Sequence, residues 1–490
     1  MATAAFVLIS IIFLTLVYLA LQPASRSPPE GSRYPPGPEA GREHYVVSTE
    51  KVANDLLRER GSIYSSRAQA PASAQLLSDN LRPVLLPYNG VWRNGRKFMH
   101  QVANASVAPQ YHSTQELEAT RMLADLIRDP ARYEHWFQRY SAAVVFRLAF
   151  GKRIDTGDEE IVQQIVAVNH NLERIASPGA YLVDTFPILM KLPRFLAPFK
   201  REIEELHRRE HSLFRGLLED VRERMKDGTA PKCWERDFLE NQSEFNLTDD
   251  EGAYVVGTMF EAGSGTTSAA MMSFVLAMVL HPLWFRKVQE ETDSVCGAKR
   301  MPYLDDVRQL PIVRAAIKET LRWRPVTAGG LPHMSTKDDV YEGLFIPANT
   351  VIHPNQWAIH REPELYPQPE SYLPERWLDS SYRTTFKSPL SVYPNLHNYS
   401  NFGFGRRVCP GQNIAERNLY LLAARIAWAA NISKAKDEEG NEIDPPLYDY
   451  TAGFNAQPKW FPFELQVRSQ ERWAVIEEEL KRGAESDPLK

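Results

Sequence analysis

Cysteine is scarce in this sequence, and the few that occur do not suggest a disulfide framework. Only three are present in 490 residues: Cys233, Cys296 and Cys409. Their number is odd and no short spacing groups them, which argues against disulfide bridges and against a zinc site. We therefore expect the bulk of the chain to fold in a reducing compartment, where an essential cysteine acts as a thiolate.

An excess of positive charge is also lacking. The formal net charge is -5 at pH 7, with 57 basic and 62 acidic side chains. Proteins that bind nucleic acid normally carry a basic excess, so we expect no nucleic-acid partner. Hydrophobic residues make up 43% of the chain, an ordinary value for a globular protein with a sizeable core.

Charged side chains are absent before Arg26, and residues 2–21 are almost wholly apolar. A helix of about twenty residues spans roughly 30 Å, the thickness of the hydrocarbon core of a bilayer. No charged segment precedes it, which favours a transmembrane anchor at residues 1–22 over a cleaved signal peptide. Arg26, Arg33 and Arg42 all follow the apolar run, so the positive-inside rule places the remainder in the cytosol.

Residues 23–44 are rich in proline and glycine, which predicts a stiff, extended hinge. No second linker and no internal repeat follows, so residues 45–490 are predicted to form one large domain. Helical patterns dominate it: Thr49 is a candidate N-cap, and 198–226 and 249–280 are predicted helices. The clearest strand pattern is a hairpin in which Leu344–Ile346 and 350–352 flank a turn. The fold class is therefore mainly α with small β-sheets.

The segment 177–199 is a second apolar region. One interpretation is core packing beside a helix turn. The other is a surface that dips into a membrane and admits lipophilic molecules.

The segment most informative about chemistry is Phe402-Gly-Phe-Gly-Arg-Arg-Val-Cys409-Pro-Gly411. Its glycines allow a tight loop beneath a flat cofactor. Backbone N–H groups and a helix that begins near Gly411 would stabilise a thiolate on Cys409. Phe402 is placed to shield the sulfur from water, and Arg407 to reach an acidic group at the cofactor edge.

This loop resembles the haem-binding loop of the cytochrome P450 superfamily. The resemblance extends to Glu319-Thr-Leu-Arg322, similar to the Glu-x-x-Arg of the family, and to Pro-Glu-Arg376-Trp, similar to its later arginine segment. Glu319 and Arg322 are i,i+3 neighbours on a helix and can pair, and Arg376 would join them. The implied role of these three residues is structural.

The resemblance also implies which residues bind the cofactor, haem b. Trp92-Arg-Asn-Gly-Arg96 is similar to the family's Trp-x-x-x-Arg, whose side chains contact a haem propionate. His333 falls where the family places another propionate partner, and Arg407 would be the third. Cys409 would be the axial ligand of the iron, and Gly411 would complete the loop.

The small residues Ala262 to Thr267 fall where the central helix of the family crosses the distal face of the haem. Thr266 corresponds to the threonine that guides protons to bound oxygen in the family. The acidic residue that normally precedes it is replaced by Gly265, which puts the usual proton relay in question. Glu261, about one helical turn away, is a hypothetical substitute.

The resemblance implies a monooxygenase that inserts one oxygen atom from O2 into a small lipophilic substrate. Electrons would come from NADPH–cytochrome P450 reductase, with cytochrome b5 as a second candidate donor. Arg406 and Lys97 are candidates for the docking face, or else are solvated charges. Anchored members reside in the endoplasmic reticulum membrane with the catalytic domain in the cytosol. The residues within these motifs are similar to those of fungal family members that modify secondary metabolites.

Two alternatives remain. A haem-dependent isomerase or dehydratase is favoured by Gly265 and disfavoured by Thr266. An inactive, membrane-anchored homologue is suggested by the short stretch from Glu39 to Ser48, where the family carries an additional helix and strand.

Overall fold

The computed structural model describes residues 28–34, 43–177 and 179–489. The predicted anchor at 1–22 lies outside the described residues, as does most of the hinge at 23–44. Within the described part, helices predominate and the strands form three small sheets, in agreement with the predicted fold class. The longer α-helices are Gly90–Ala103, His112–Arg128, Tyr133–Phe150, Glu160–Ala176, Pro198–Lys226, Trp234–Phe245, Asp249–Leu280, Pro282–Cys296, Pro311–Trp323, Gln412–Ala429 and Gln470–Ser486. Short α-helices are Glu50–Asn54, Gly61–Tyr64, Leu182–Thr185 and Gln356–Ile359.

The strands are β1 His44–Val47, β2 His333–Met334, β3 Asp339–Tyr341, β4 Leu344–Ile346, β5 Val351–Pro354, β6 Ala430–Lys434 and β7 Phe463–Val467. In the first sheet, β5 lies between β1, which is parallel to it, and β2, which is antiparallel. The other two sheets are the antiparallel pairs β3–β4 and β6–β7. The first sheet places His333 beside the first helices of the domain.

The predicted hairpin between Leu344–Ile346 and 350–352 is wrong. The two strands exist, but β4 pairs with β3 and β5 belongs to another sheet. The residues between β3 and β4 are Glu342 and Gly343, with φ of 49° and 78°. Positive φ at both central residues is typical of the type I′ turn that matches the twist of a two-residue hairpin.

The helix Asp249–Leu280, called the central helix below, has the bounds that the sequence predicts. It begins with a capping box: Glu251 N–H donates to Thr248 Oγ1 at 3.2 Å, and Thr248 N–H donates to the Glu251 carboxylate at 2.7 Å. Of the residues described, only this helix is long and apolar enough to cross a membrane, and 78% of its most apolar window is buried in the protein. It is therefore the core helix of the domain.

From residue 252 to 279 the central helix is buried, apart from Ala262, Gly263, Gly265 and Thr266. Ala262, Gly265 and Thr266 form one face, called the cavity face below, whereas the Cβ position of Gly263 points at Val145. A helix packed on all sides would bury this stretch too. The cavity face therefore borders an open space within the protein, where a ligand would lie against small side chains.

The first helix supports the cysteine loop. Thr49 is its N-cap, as predicted, with Oγ1 accepting from Val52 N–H at 3.4 Å. Leu57, on the helical turn that follows, belongs to a hydrophobic cluster that also contains Phe404 of the cysteine loop. This packing holds the cysteine loop against β1 and the helix Glu50–Asn54.

Candidate active site

The segment Phe402 to Gly411 forms a closed loop. Cys409 N–H donates to the carbonyl oxygen of Phe402 at 2.8 Å, which brings the ends of the loop together. Gly403 and Gly405 have φ of 84° and 54°, a region that glycine adopts at little cost. A Cβ on Gly405 would also collide with the Leu57 carbonyl oxygen. Glycine is therefore required where the loop meets the first helix.

The Cys409 sulfur lies at the start of the helix Gln412–Ala429. Burial raises the pKa of the Cys409 thiol, while the N–H groups of Gly411 and Gln412 and the Arg96 guanidinium act in the opposite direction. These groups solvate a thiolate, and a cation bound to the sulfur would complete the shift toward that form. The loop therefore presents a sulfur ligand to the open space.

Three guanidinium groups gather beside this loop. The Arg407 guanidinium carbon lies 4.1 Å from the centre of the Trp92 ring. Its Nε and Nη2 each donate at 2.8 Å to the carbonyl oxygens of Ser65 and Leu86. Burial lowers the pKa of Arg407 to about 8, with further contributions from Arg67 and Arg96. Such mutual repulsion is costly unless an anion is present.

No carboxylate pairs with Arg67, Arg96 or Arg407 among the described residues. Arg67 donates at 2.9 Å to the Leu331 carbonyl oxygen and at closer range to that of Pro332, and burial lowers its pKa to about 10. Other buried arginines of the described chain either pair with a carboxylate, as Arg322 does, or bond to carbonyl oxygens, as Arg425 does. Here three guanidinium groups without a carboxylate partner in the described structure lie close enough to repel one another. The cluster therefore fits a ligand with more than one acidic group, and haem carries two propionates.

His333 lies against the same cluster. Its Nδ1 is 2.7 Å from the carbonyl oxygen of Tyr64, and because a carbonyl only accepts, Nδ1 carries the proton. Burial lowers the pKa of His333 well below its ordinary value, with Arg67 and Arg407 acting in the same direction. The ring is therefore neutral until an anion reaches the cluster.

Glu319, Arg322 and Arg376 meet in a fully buried cluster. Arg322 donates to both carboxylate oxygens of Glu319, at 3.0 and 2.8 Å, and Arg376 Nε donates at 3.1 Å. Trp377 Nε1 and Leu373 N–H add bonds of 3.0 and 2.9 Å. The cluster joins the helix Pro311–Trp323 to the segment that leads to the cysteine loop.

Thr266 lies on the cavity face, where its hydroxyl donates to the Ala262 carbonyl oxygen at 3.0 Å. A Cβ on Gly265 would have no neighbour within 4 Å, so the missing acidic side chain leaves free space. Glu261 does not fill this space in the structure. Its side chain is only 4% exposed and its carboxylate pairs with Arg82.

The two candidate docking cations differ. Arg406 is exposed and donates to the Tyr88 hydroxyl at 2.7 Å. Lys97 is exposed as well, but its ammonium contacts the Glu244 carbonyl oxygen at 3.2 Å and lies 5.2 Å from the Phe245 ring centre. Arg406 is thus the cation that borders the cysteine loop itself.

Sequence reasoning missed Arg67 and Arg82. Arg67 joins the cation cluster, and Arg82 reaches Glu261 from a segment 179 positions away. Neither stands in a motif, and an isolated arginine in a sequence is typical of a solvated surface. Only the fold brings these residues together.

Comparisons with known proteins agree with this geometry. Residues 40–435 match the family described as cytochrome P450. The chain is 38% identical over 437 residues to cytochrome P450 monooxygenase fogE of Aspergillus ruber, covering 89% of this chain and 80% of the relative. It is 34% identical over 441 residues to cytochrome P450 monooxygenase virE of Hypocrea virens, covering 90% and 80%.

The fold is also found among solved structures. A zebra fish cytochrome P450 with progesterone superposes with a TM-score of 0.70 at 22% sequence identity, covering 86% of this chain and 93% of that one. A second zebra fish structure, with abiraterone, gives a TM-score of 0.66 at 23% identity. These likenesses confirm the predicted fold. The chain therefore belongs to the cytochrome P450 family: it is a monooxygenase whose cofactor is haem, bound through a cysteine thiolate.

Proposed function

We propose that this cytochrome P450 inserts one oxygen atom from O2 into a small lipophilic molecule of fungal secondary metabolism, by hydroxylation or epoxidation. Cys409 is the axial ligand of the iron in this proposal. The observation that carries it is the cluster of Arg67, Arg96 and Arg407, which has no acidic partner in the described structure and adjoins the cysteine loop.

When bound, the haem supplies the oxidising chemistry, with electron density pushed to the iron by a thiolate. The protein holds it from two sides. Cys409 would bind the iron from the loop, and Trp92, Arg96, Arg407 and His333 would contact the propionates. A propionate beside His333 would raise the pKa of its ring toward the ordinary value.

Small residues of the cavity face leave room for oxygen and substrate above the haem. Thr266 presents a hydroxyl there, and it could donate a hydrogen bond to a bound ligand by rotating away from the Ala262 carbonyl oxygen. Gly265 contributes no acid to this step. The specific observation behind the alternative function, isomerisation or dehydration without a reductase, is this missing acid.

A lipophilic substrate agrees with the walls of the space. Residues 326–331 are mostly half-buried and include Val326 and Leu331, and the turn carrying Phe454 lies beside them through a 2.7 Å bond from Ala456 N–H to the Val326 carbonyl oxygen. Apolar and small groups at these positions favour a neutral molecule. The pathway and the oxidised carbon are set by contacts with that molecule.

Membrane attachment is supported by the segment 182–196. Leu182, Phe195 and Leu196 are 68%, 77% and 58% exposed, and they lie close together in the chain. Exposed apolar groups of this size favour insertion into a lipid surface over packing in the core. We infer a single-pass protein of the endoplasmic reticulum membrane that receives electrons from NADPH–cytochrome P450 reductase near Arg406.

The test is oxidation of candidate lipophilic substrates by the full chain with reductase, NADPH and isotopically labelled dioxygen. The proposal predicts one labelled oxygen atom in the product and turnover that depends on the reductase. Turnover without reductase or label would establish the isomerase or dehydratase alternative. A haem-loaded chain that reacts with no substrate class while its reduction proceeds would favour an inactive homologue.

A further inference from the structure

Segments that lie beside the central helix near the cavity face form a hydrophobic cluster of their own, called the roof below. Its buried members are Ala72, Leu77, Leu172, Ile175, Val183 and Ile203. This cluster is separate from the main hydrophobic core, which contains the central helix. Phe454 packs against the roof from its edge. The helices that carry Leu172 and Ile203 also contribute residues to the main core, so a shift of the roof relative to the central helix has to occur at the boundary between the two clusters.

Polar side chains stand where two helices pass from the core into the roof. On the helix Glu160–Ala176, Asn169 lies between Val168 of the core and Leu172 of the roof. On the helix Pro198–Lys226, Glu210 lies between Ile203 of the roof and the core residues further along. The boundary is thus marked by hydrogen-bonding groups in place of apolar ones.

These boundary residues contact the central helix just before the cavity face. Arg82 pairs with both Glu210 and Glu261, and the three side chains are 0%, 2% and 4% exposed. Asn169 Nδ2 donates to Ser264 Oγ at 3.3 Å and to the Glu261 carbonyl oxygen at 3.4 Å. Arg82 therefore connects the roof to the central helix through a buried double ion pair.

The charges in this cluster do not balance. Two carboxylates surround one guanidinium, and Glu210 Oε1 has no hydrogen-bond partner. Glu210 also faces Tyr254 on the central helix and His207 on its own helix, and Tyr254 in turn faces Asp79. Burial raises the pKa of Glu210, while Arg82, Tyr254 and His207 lower it less than burial raises it. A proton on Glu210 neutralises the cluster when the roof is closed.

We propose that Arg82, Glu210 and Glu261 are positioning residues that clamp the roof over the substrate cavity. Substrate enters when the clamp opens, and closure rebuilds the ion pairs and fixes the walls around the substrate. The cavity's role rests on the proposed monooxygenase function. The clamp itself is a property of the folded chain and is measurable without turnover.

Opening exposes Glu210 to water, where its carboxyl returns to its ordinary acidity, so closure takes up a proton. The closed state binds more protons than the open one between the ordinary pKa of glutamate and the raised pKa of Glu210 in the closed state. Affinity for a ligand that requires a closed roof therefore falls as pH rises through that range. Glu210→Gln, which carries no titrating group, makes the affinity independent of this titration.

The first test is hydrogen exchange by mass spectrometry on the haem-loaded full chain without substrate. Arg82→Met removes the guanidinium that contacts both Glu210 and Glu261 and leaves the Glu261 carboxylate buried without its ion-pair partner. We expect exchange in residues 71–86 and 182–206 to accelerate at least tenfold, because a lost buried ion pair destabilises the closed roof. Arg209→Met is the matched control, since Arg209 is adjacent to Glu210 but 74% exposed. Arg82→Lys restores part of the protection.

Equal exchange in Arg82→Met and Arg209→Met overturns the clamp. If Arg82→Met does not fold, Arg82→Gln replaces it, because glutamine keeps a hydrogen-bonding side chain but removes the charge that pairs with Glu261. The second test is the affinity for phenylimidazole, measured by its absorption change on the haem, as a function of pH. A pH slope in the natural chain that is lost in Glu210→Gln supports the clamp, and identical slopes contradict it. Neither test requires turnover, so a chain that binds haem but oxidises no substrate still reports on the clamp, and failure of the proposed function is distinguishable.

Discussion

Removal of the Glu319 carboxylate is the perturbation whose cost follows most directly from the structure. Glu319 is fully buried and accepts five hydrogen bonds from Arg322, Arg376, Trp377 and Leu373. Glu319→Gln keeps the volume but removes the negative charge, so two buried guanidinium groups lose their only carboxylate partner in the described structure. Breaking a buried ion pair from one side costs about 3–5 kcal/mol of unfolding free energy.

The assay is urea unfolding of the haem-loaded protein, followed by circular dichroism and compared with Glu370→Gln. Glu370 pairs with Arg361 at 2.8 Å but is 57% exposed, so this control loses less than about 1 kcal/mol. The urea concentrations at the unfolding midpoints are compared, and only between proteins whose transitions have equal slopes, because a chain of this size need not unfold in two states. A loss below about 1 kcal/mol for Glu319→Gln, or one equal to the control, would refute the reasoning.

Three further predictions concern other parts of the domain. Burial lowers the pKa of Lys318 to about 7, so above that pH the unfolded chain binds more protons than the folded one. In urea unfolding, the stability of the natural chain relative to Lys318→Met should therefore rise by up to about 1.4 kcal/mol per pH unit. A stability difference that does not change with pH contradicts this. A Cβ on Gly263 would lie 2.5 Å from Val145 Cγ2, so thermal unfolding should show Gly263→Ala destabilised by about 1–3 kcal/mol, while Gly265→Ala is tolerated; equal effects contradict the packing. Arg407→Met should speed haem transfer to apomyoglobin at least tenfold, and an unchanged rate would mean that this guanidinium does not bind a propionate.

Much of the fold could be predicted because its strongest patterns are local. The bounds of the central helix follow from a capping sequence at Thr248 and a mainly apolar run to residue 280. Thr49 likewise marks the start of its helix by hydrogen bonding within one turn. The contact between Glu319 and Arg322 follows from their i,i+3 spacing on one helix. In each case, the residues that determine the structure are neighbours in the chain.

The errors arise where pairing is decided at long range. The residues from 344 to 352 have the composition of a hairpin. In the structure, however, β5 pairs with β1 and β2. A tight turn with positive φ at Glu342 and Gly343 pairs β4 with β3 instead. Strand propensity indicates that strands exist without indicating which of them pair.

The position of the Glu261 carboxylate relative to Thr266 could not be predicted from the sequence either. Glu261 is one turn from Thr266 in sequence, which made it a hypothetical substitute for the acid missing at Gly265. The structure directs its carboxylate to Arg82 instead. Helical spacing predicts the face of the helix that carries a residue, but the position of the charged group of a long side chain depends on its buried partner.

The most direct test of the central claim is a reduced, carbon-monoxide difference spectrum of the purified full chain beside Cys409→Ser. We predict a strongly red-shifted Soret band in the natural chain, typical of thiolate ligation, and its loss in the variant with haem still retained through the cation cluster. A red-shifted band that persists in Cys409→Ser, or a natural chain that binds haem without thiolate ligation, would contradict the assignment of Cys409 as the iron ligand.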